Sequence, residues 1–387
     1  MTQRQKPGGF RLWVEWRAGR IEDPVSRLRY LQTVAPERSA VRTGRSTLRR
    51  AGAIGGLAAV VVVSSFLVRA KIRVEPPPTH ARQAEAPVLW SEDLPQVWLV
   101  ERTADSETYS NGLRVDNRYA ISTHPRSFRA LPADRPEQDD ETRRTEPVGI
   151  VFHTTESLQA PFEADQNQVL KQVAESIVEF VRRHRAYNFL IDRFGRVYRI
   201  VQESDAADHA GYSVWSDAEW IYVNLNESFL GVSFEAKTQP GQEEPAVSPA
   251  QVRAAATLTE MLRSRYKIRG VNCVTHAQVS VNPSNMLVGW HTDWASSFPF
   301  EKLGLPDNYA RPLPALTAFG FEYDETFVRL AGTRLYAGVE MAEERLREQA
   351  AERGLTFEAY RKTLQRLYRE KIGRFQHGAS EGVEPEE

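Results

Sequence analysis

Between residues 147 and 302, short apolar runs of strand length alternate with longer stretches of helical period. That alternation confines this part of the chain to α/β folds, with a mixed central sheet flanked by helices. GIVFH (149–153) reads as a strand that stops at a histidine. In QVLKQVAESIVEFVRR (168–183), Val169, Val173, Ile177, Phe180 and Val181 recur at helical spacing. YNFLIDRFGRVYRIV (187–201) reads as two strands joined by a turn at Phe194-Gly195, and FLGVSFEA (229–236) as a further strand. Ser248-Pro249-Ala250-Gln251 has the form of a capping box with proline at the first helical position. It predicts a helix with Val252, Ala255, Leu258, Met261 and Leu262 on one face, after which VNCVTHAQVS (271–280) brings the chain back to a histidine.

The flanks differ in kind. Residues 51–68, AGAIGGLAAVVVVSSFLV, are 18 positions without a charge. As a helix they span roughly 27 Å, close to the thickness of a bilayer's hydrocarbon core. Residues 1–50 carry 12 Lys/Arg against 4 Asp/Glu, and Arg49 and Arg50 abut the apolar run. This positive excess predicts a single-pass anchor at the cytoplasmic membrane, N-terminus inside, with the rest in the periplasm or outside. The competing reading is an exported protein whose leader is cleaved near Val68-Arg69-Ala70.

Residues 69–95 then form a Pro- and charge-rich spacer. Residues 96–146 are expected to hold a β-hairpin turning at Asn111-Gly112, followed by a charged linker that separates it from the main domain, 147–305. Beyond it, 306–375 reads as a helical extension with a break at Gly354, and 376–387 as a disordered acidic tail.

The remainder after residue 50 holds 38 Lys/Arg against 47 Asp/Glu, which argues against nucleic acid as a partner. The single cysteine, Cys273, rules out an internal disulfide and any multi-cysteine metal site, so a bound metal must rely on His, Asp or Glu. His153 ends a strand, His276 follows VNCV, and His291 and Asp293 sit in GWHTDWASSFPF. Without a short-spaced pair such as HxxxH, spacing leaves structural hydrogen bonding and metal ligation both open.

Five pieces, in order, carry a resemblance: GIVFHTT, YNFLIDRFGRVYRI, DHAGYS, NESFLGVSF, and HAQVS followed by DWASSFPF. Together they resemble the zinc-dependent type-2 N-acetylmuramoyl-L-alanine amidases and the related peptidoglycan recognition proteins, over about 40% of the chain. The resemblance implies a Zn2+ cofactor with His153, His276 and Asp293 as ligands; His291 competes with Asp293 for the third place. It implies Tyr187 and His291 as catalytic groups, and substrate contacts from His209, Thr154, Asn188 and Ser233. Two imidazoles and a carboxylate leave a coordination position for water, whose pKa zinc lowers from about 15.7 toward about 7. The implied activity is hydrolysis of the amide between N-acetylmuramic acid and L-alanine of the peptidoglycan stem. The alternative is a catalytically silent binding or sensing protein of the same fold. Glu156 and Glu235, near these motifs, read as solvated or hydrogen-bonding carboxylates rather than bases.

Overall fold

A computed structural model describes residues 92–380 except 139, 158, 240 and 242, with side chains described as far as residue 371. The anchor expected at 51–68, the basic arm and the final residues lie outside the described residues. Among the described residues, no helix is long and apolar enough to cross a membrane.

The chain lays down β1 (Leu99–Arg102), β2 (Ser106–Tyr109), β3 (Arg114–Asp116), β4 (Leu131–Pro132), β5 (Gly149–Thr154), α1 (Asn167–Arg183), β6 (Phe189–Ile191) and β7 (Val197–Arg199). It continues with β8 (Val214–Ser216), β9 (Trp220–Val223), α2 (Leu225–Ser228), β10 (Phe229–Phe234), α3 (Pro249–Tyr266), β11 (Cys273–Thr275) and α4 (His276–Val279). The C-terminal part forms α5 (Pro314–Phe319), α6 (Glu325–Glu352) and α7 (Phe357–Ser380). Eight strands make one mixed sheet in the order β1-β2-β3-β7-β6-β10-β5-β11, with β6, β10, β5 and β11 mutually parallel.

β5 is buried along its whole length. Ile150 and Phe152 face a core shared with Leu258, Met261 and Leu262 of α3, whereas Val151 faces the other side with Val274 and Phe229. The capping box that opens α3 forms as expected: Gln251 N–H donates to Ser248 Oγ at 3.1 Å, and Ser248 N–H donates to Gln251 Oε1 at 3.0 Å.

Two expectations are corrected. The segment 96–146 is no separate unit, because β3 pairs in parallel with β7 and so adds β1–β3 to the main sheet. The charged stretch expected as a linker is also tied down: Arg144 exchanges backbone hydrogen bonds with Phe128, and its guanidinium lies 3.8 Å from the Trp220 ring centre. The helix at 168–183 exists, but it buries Leu170, Ala174, Val178 and Val181. Of the residues that recur at helical spacing in the sequence, Val181 is buried but Val169 and Phe180 are exposed. With Val173 and Ile177 they line an open cavity of about 470 Å³ that reaches Tyr187.

The C-terminal extension packs onto the core. Phe319 and Phe321 meet the ring of Tyr368 at 5.2 and 4.7 Å between centres. Helix α6 departs from helical geometry at Gly332 (φ 74°, ψ 174°), a region essentially reserved for glycine. There Ser296 bridges the break: its Oγ donates to Ala331 O at 2.7 Å and accepts from Leu335 N–H at 2.9 Å. The extension therefore holds the segment that follows Asp293.

Candidate metal centre

Strand register brings the first two ligand candidates together. β11 pairs in parallel with β5 as Ile150↔Cys273, Val151↔Val274 and Phe152↔Thr275, so the following residues, His153 and His276, come side by side at the carboxyl ends of their strands. Their ring centres are 4.4 Å apart. β10 lies on the other side of β5 and sets Ser233 opposite His153.

Asp293 enters from a loop whose next two residues, Trp294 and Ala295, have positive φ of 71° and 41°. A tryptophan in that region is strained by about 1–3 kcal/mol, which the surrounding contacts must offset. The Trp294 N–H donates to Thr238 Oγ1 at 2.9 Å, and the indole is 2% exposed. The Asp293 carboxylate lies between the two imidazoles: Oδ2 is 3.2 Å from His153 Nδ1 and Oδ1 is 2.9 Å from His276 Nδ1.

One ligand atom from each of His153, His276 and Asp293 falls within 4.8 Å of the others, and all three residues are buried. Their protonation suits a cation. Burial and the neighbouring His276 push His153 down to about 4, so its ring is neutral near pH 7. Burial pushes the Asp293 carboxyl up, but the two imidazoles overcome this and hold it well below its ordinary value, ionised. The buried Nε2 of His276 has no hydrogen-bond partner. An ionised carboxylate with imidazole donors and an unpaired buried nitrogen is a donor set that fits a divalent cation.

Asp293, not His291, is the residue that converges with the two histidines, and His291 is stacked on the His276 ring at 4.7 Å with 20° between planes. Tyr187, also at positive φ (63°), sets its ring 5.0 Å from that of His153. Burial, and then the Asp293 charge, raise its hydroxyl above the ordinary tyrosine range, so it stays a proton-bearing donor at neutral pH.

The other residues expected at the substrate divide. Thr154 is buried; its Oγ1 donates to Glu156 Oε1 at 2.5 Å, and its N–H reaches Asp293 Oδ2 at 3.4 Å. Asn188 is completely buried: its Oδ1 accepts from Gly231 N–H at 3.0 Å, and its amide donates to Gln202 O at 3.2 Å, which gives it a structural role rather than a substrate contact. Ser233 is also completely buried, with its Oγ unpaired beside His153. His209, expected on the cleft wall, engages both ring nitrogens within the protein, at 3.1 Å to His153 Nε2 and 3.2 Å to Phe229 O.

Two residues of this region carried no signal beyond their place in a motif. Asn226 Oδ1 accepts from the N–H groups of His209, Ala210 and Gly211 at 2.9, 2.7 and 2.8 Å. Gly231 leaves room for the His209 ring: a Cβ there would lie 2.7 Å from His209 Cγ.

Residues 143–293 match the family model described as N-acetylmuramoyl-L-alanine amidase. The chain is 30% identical over 92 residues to the N-acetylmuramoyl-L-alanine amidase AmiD of Escherichia coli (strain K12), a match covering 22% of this chain and 31% of AmiD. The chain thus spans about a third of the length of that curated relative. Among solved structures, E. coli AmiD in complex with anhydro-N-acetylmuramic acid-L-Ala-D-gamma-Glu-L-Lys aligns at 22% identity over 43% of this chain and 59% of that one, with a TM-score of 0.30. The Drosophila peptidoglycan recognition protein SD aligns at 18% identity over 42% and 85%, with a TM-score of 0.26.

Proposed function

We propose that residues 143–293, which belong to the type-2 N-acetylmuramoyl-L-alanine amidase family, form a zinc-dependent amidase that cleaves the bond between N-acetylmuramic acid and L-alanine of the peptidoglycan stem peptide. The observation that carries this reading is the convergence of His153, His276 and Asp293 within 4.8 Å, beside a tyrosine that keeps its proton. Bound there, zinc would polarise the scissile carbonyl and acidify a water toward about pH 7. The protein's own groups do the rest. Asp293 brings a negative charge that offsets the cation's, and the tyrosine hydroxyl of Tyr187 offers a hydrogen bond to the oxyanion that develops on the carbonyl. His291, stacked against His276, is placed to supply a second donor near the same place.

A silent binding protein would have no need of a complete donor set together with a tyrosine held at positive φ against it. Since peptidoglycan lies outside the cytoplasmic membrane, this reading also carries with it the anchor proposed for residues 51–68. The test is metal analysis of the purified protein together with release of stem peptides from sacculi. One zinc per chain and peptide release are expected. Asp293→Ala should lose the zinc, whereas His291→Ala should keep it and turn over more slowly. A folded protein with neither zinc nor release would leave only the binding reading.

A further inference from the structure

We propose that His209 is a positioning residue for the metal centre: together with the Phe229 carbonyl, it dictates which nitrogen of His153 is free to bind the ion. The inference rests on the metal reading above and extends it to a residue outside the ligand set.

The argument is one of donors and acceptors. A carbonyl oxygen only accepts, so the 3.2 Å contact between His209 Nε2 and Phe229 O puts the hydrogen on Nε2. As a neutral imidazole each ring carries one N–H. His209 Nδ1 is therefore a bare lone pair, and it faces His153 Nε2 at 3.1 Å. His153 must donate from Nε2, which leaves its Nδ1 bare. That Nδ1 is the atom 3.2 Å from Asp293 Oδ2. A lone pair aimed at an ionised carboxylate is repulsive unless a cation stands between them. The chain Phe229 O, His209, His153 thus fixes the tautomer and the ring plane of a ligand, the usual task of a metal site's outer partners.

The relay is built rather than incidental. The Asn226 carboxamide oxygen gathers the three backbone N–H groups of residues 209–211, which fixes the loop that carries the ring. Gly231, on the strand beside β5, provides the seat: any side chain there would push the His209 ring away from His153. The motif pieces DHAG and NESFLG, separate in sequence, thus form one support for His153.

The test compares zinc affinity, by chelator competition, in the full-length protein and its variants. His209→Phe keeps the ring's bulk but removes both nitrogens, and it should weaken zinc binding about 10- to 100-fold. His209→Asn places a carboxamide oxygen near the former Nδ1, so it should recover most of that loss. In the zinc-loaded wild type, imidazole 15N shifts should report His209 as the Nε2–H tautomer, a measurement that needs no variant. If the wild type binds no zinc, the metal reading itself falls. If it binds and His209→Phe binds equally tightly, or if His209→Asn is as weak as His209→Phe, or if His209 carries its proton on Nδ1, the relay is overturned while the metal site stands.

Discussion

Glu235 gives the sharpest test of how this sheet handles charge. It follows β10 directly, is 2% exposed, and accepts a hydrogen bond from Arg193 N–H at 3.2 Å. Burial, with a smaller push from the neighbouring Asp192, raises its carboxyl from 4.5 to about 7. The folded protein therefore holds this proton more tightly than the unfolded chain does. The stabilisation is complete below about pH 4.5, fades through the interval, and is gone above about pH 7. At about 1.4 kcal/mol per pH unit, that interval amounts to about 3 kcal/mol of stability lost on ionisation. Glu235→Gln keeps the shape and an acceptor for Arg193 N–H but cannot ionise. It should match the wild type near pH 4.5 and exceed it by about 3 kcal/mol at pH 8, which is about 6 °C in Tm for a unit of this size. Denaturant unfolding at the two pH values measures the difference directly. A variant whose advantage is the same at both pH values, or greater in acid, would refute the assignment of the burial cost to the charged form.

Two further outcomes concern the site. Tyr187→Phe should lower kcat by about 10²- to 10³-fold while leaving zinc content unchanged, as for loss of one oxyanion donor; metal analysis and stem-peptide release on the same preparation check both halves. Gly332→Ala forces a side chain into a glycine-only conformation, with its Cβ 2.7 Å from Ser296 Oγ. It should destabilise the fold by about 2 kcal/mol or more and weaken zinc binding, because Ser296 lies three residues past Asp293; thermal unfolding and chelator competition report the two effects.

What the sequence made legible was what is local. The α3 cap is set by four consecutive residues, and both of its hydrogen bonds form. The candidate ligand set was legible through the order of motifs, and the structure brings one potential ligand atom of each residue within 4.8 Å of the others. The orientation of α1 was not, because the helix carries two apolar stripes. Val169, Val173, Ile177 and Phe180 have the same period as Leu170, Ala174, Val178 and Val181, and period alone does not say which stripe meets the sheet. The membership of 96–146 in the main sheet was hidden for another reason: it depends on a parallel pairing between β3 and β7, about 80 residues apart in sequence. Charge and proline in between gave a linker signal that tertiary contacts override. The role of His209 was equally out of reach, since its partners lie 56 and 20 residues away and their identity matters less than which atoms face each other.

In this arrangement the convergence of the candidate ligands is a property of the whole sheet. His153 and His276 are neighbours only because β5 and β11 pair in one register, and a slip of one residue would turn one histidine to the opposite face. That register is specified by apolar burial on both sides of β5, with Ile150 and Phe152 on one and Val151 on the other. Asp293 comes instead from a loop with strained backbone, and the segment that follows it is anchored by Ser296 in the break of α6. The two imidazoles are thus fixed by the core, and the segment that follows the carboxylate is held by the C-terminal extension. A cation that binds all three joins these parts, and since it binds only the folded form it adds about 2.7 kcal/mol at a hundredfold excess over its Kd. The extension, which has no motif of its own, is by this argument part of the candidate metal site's support.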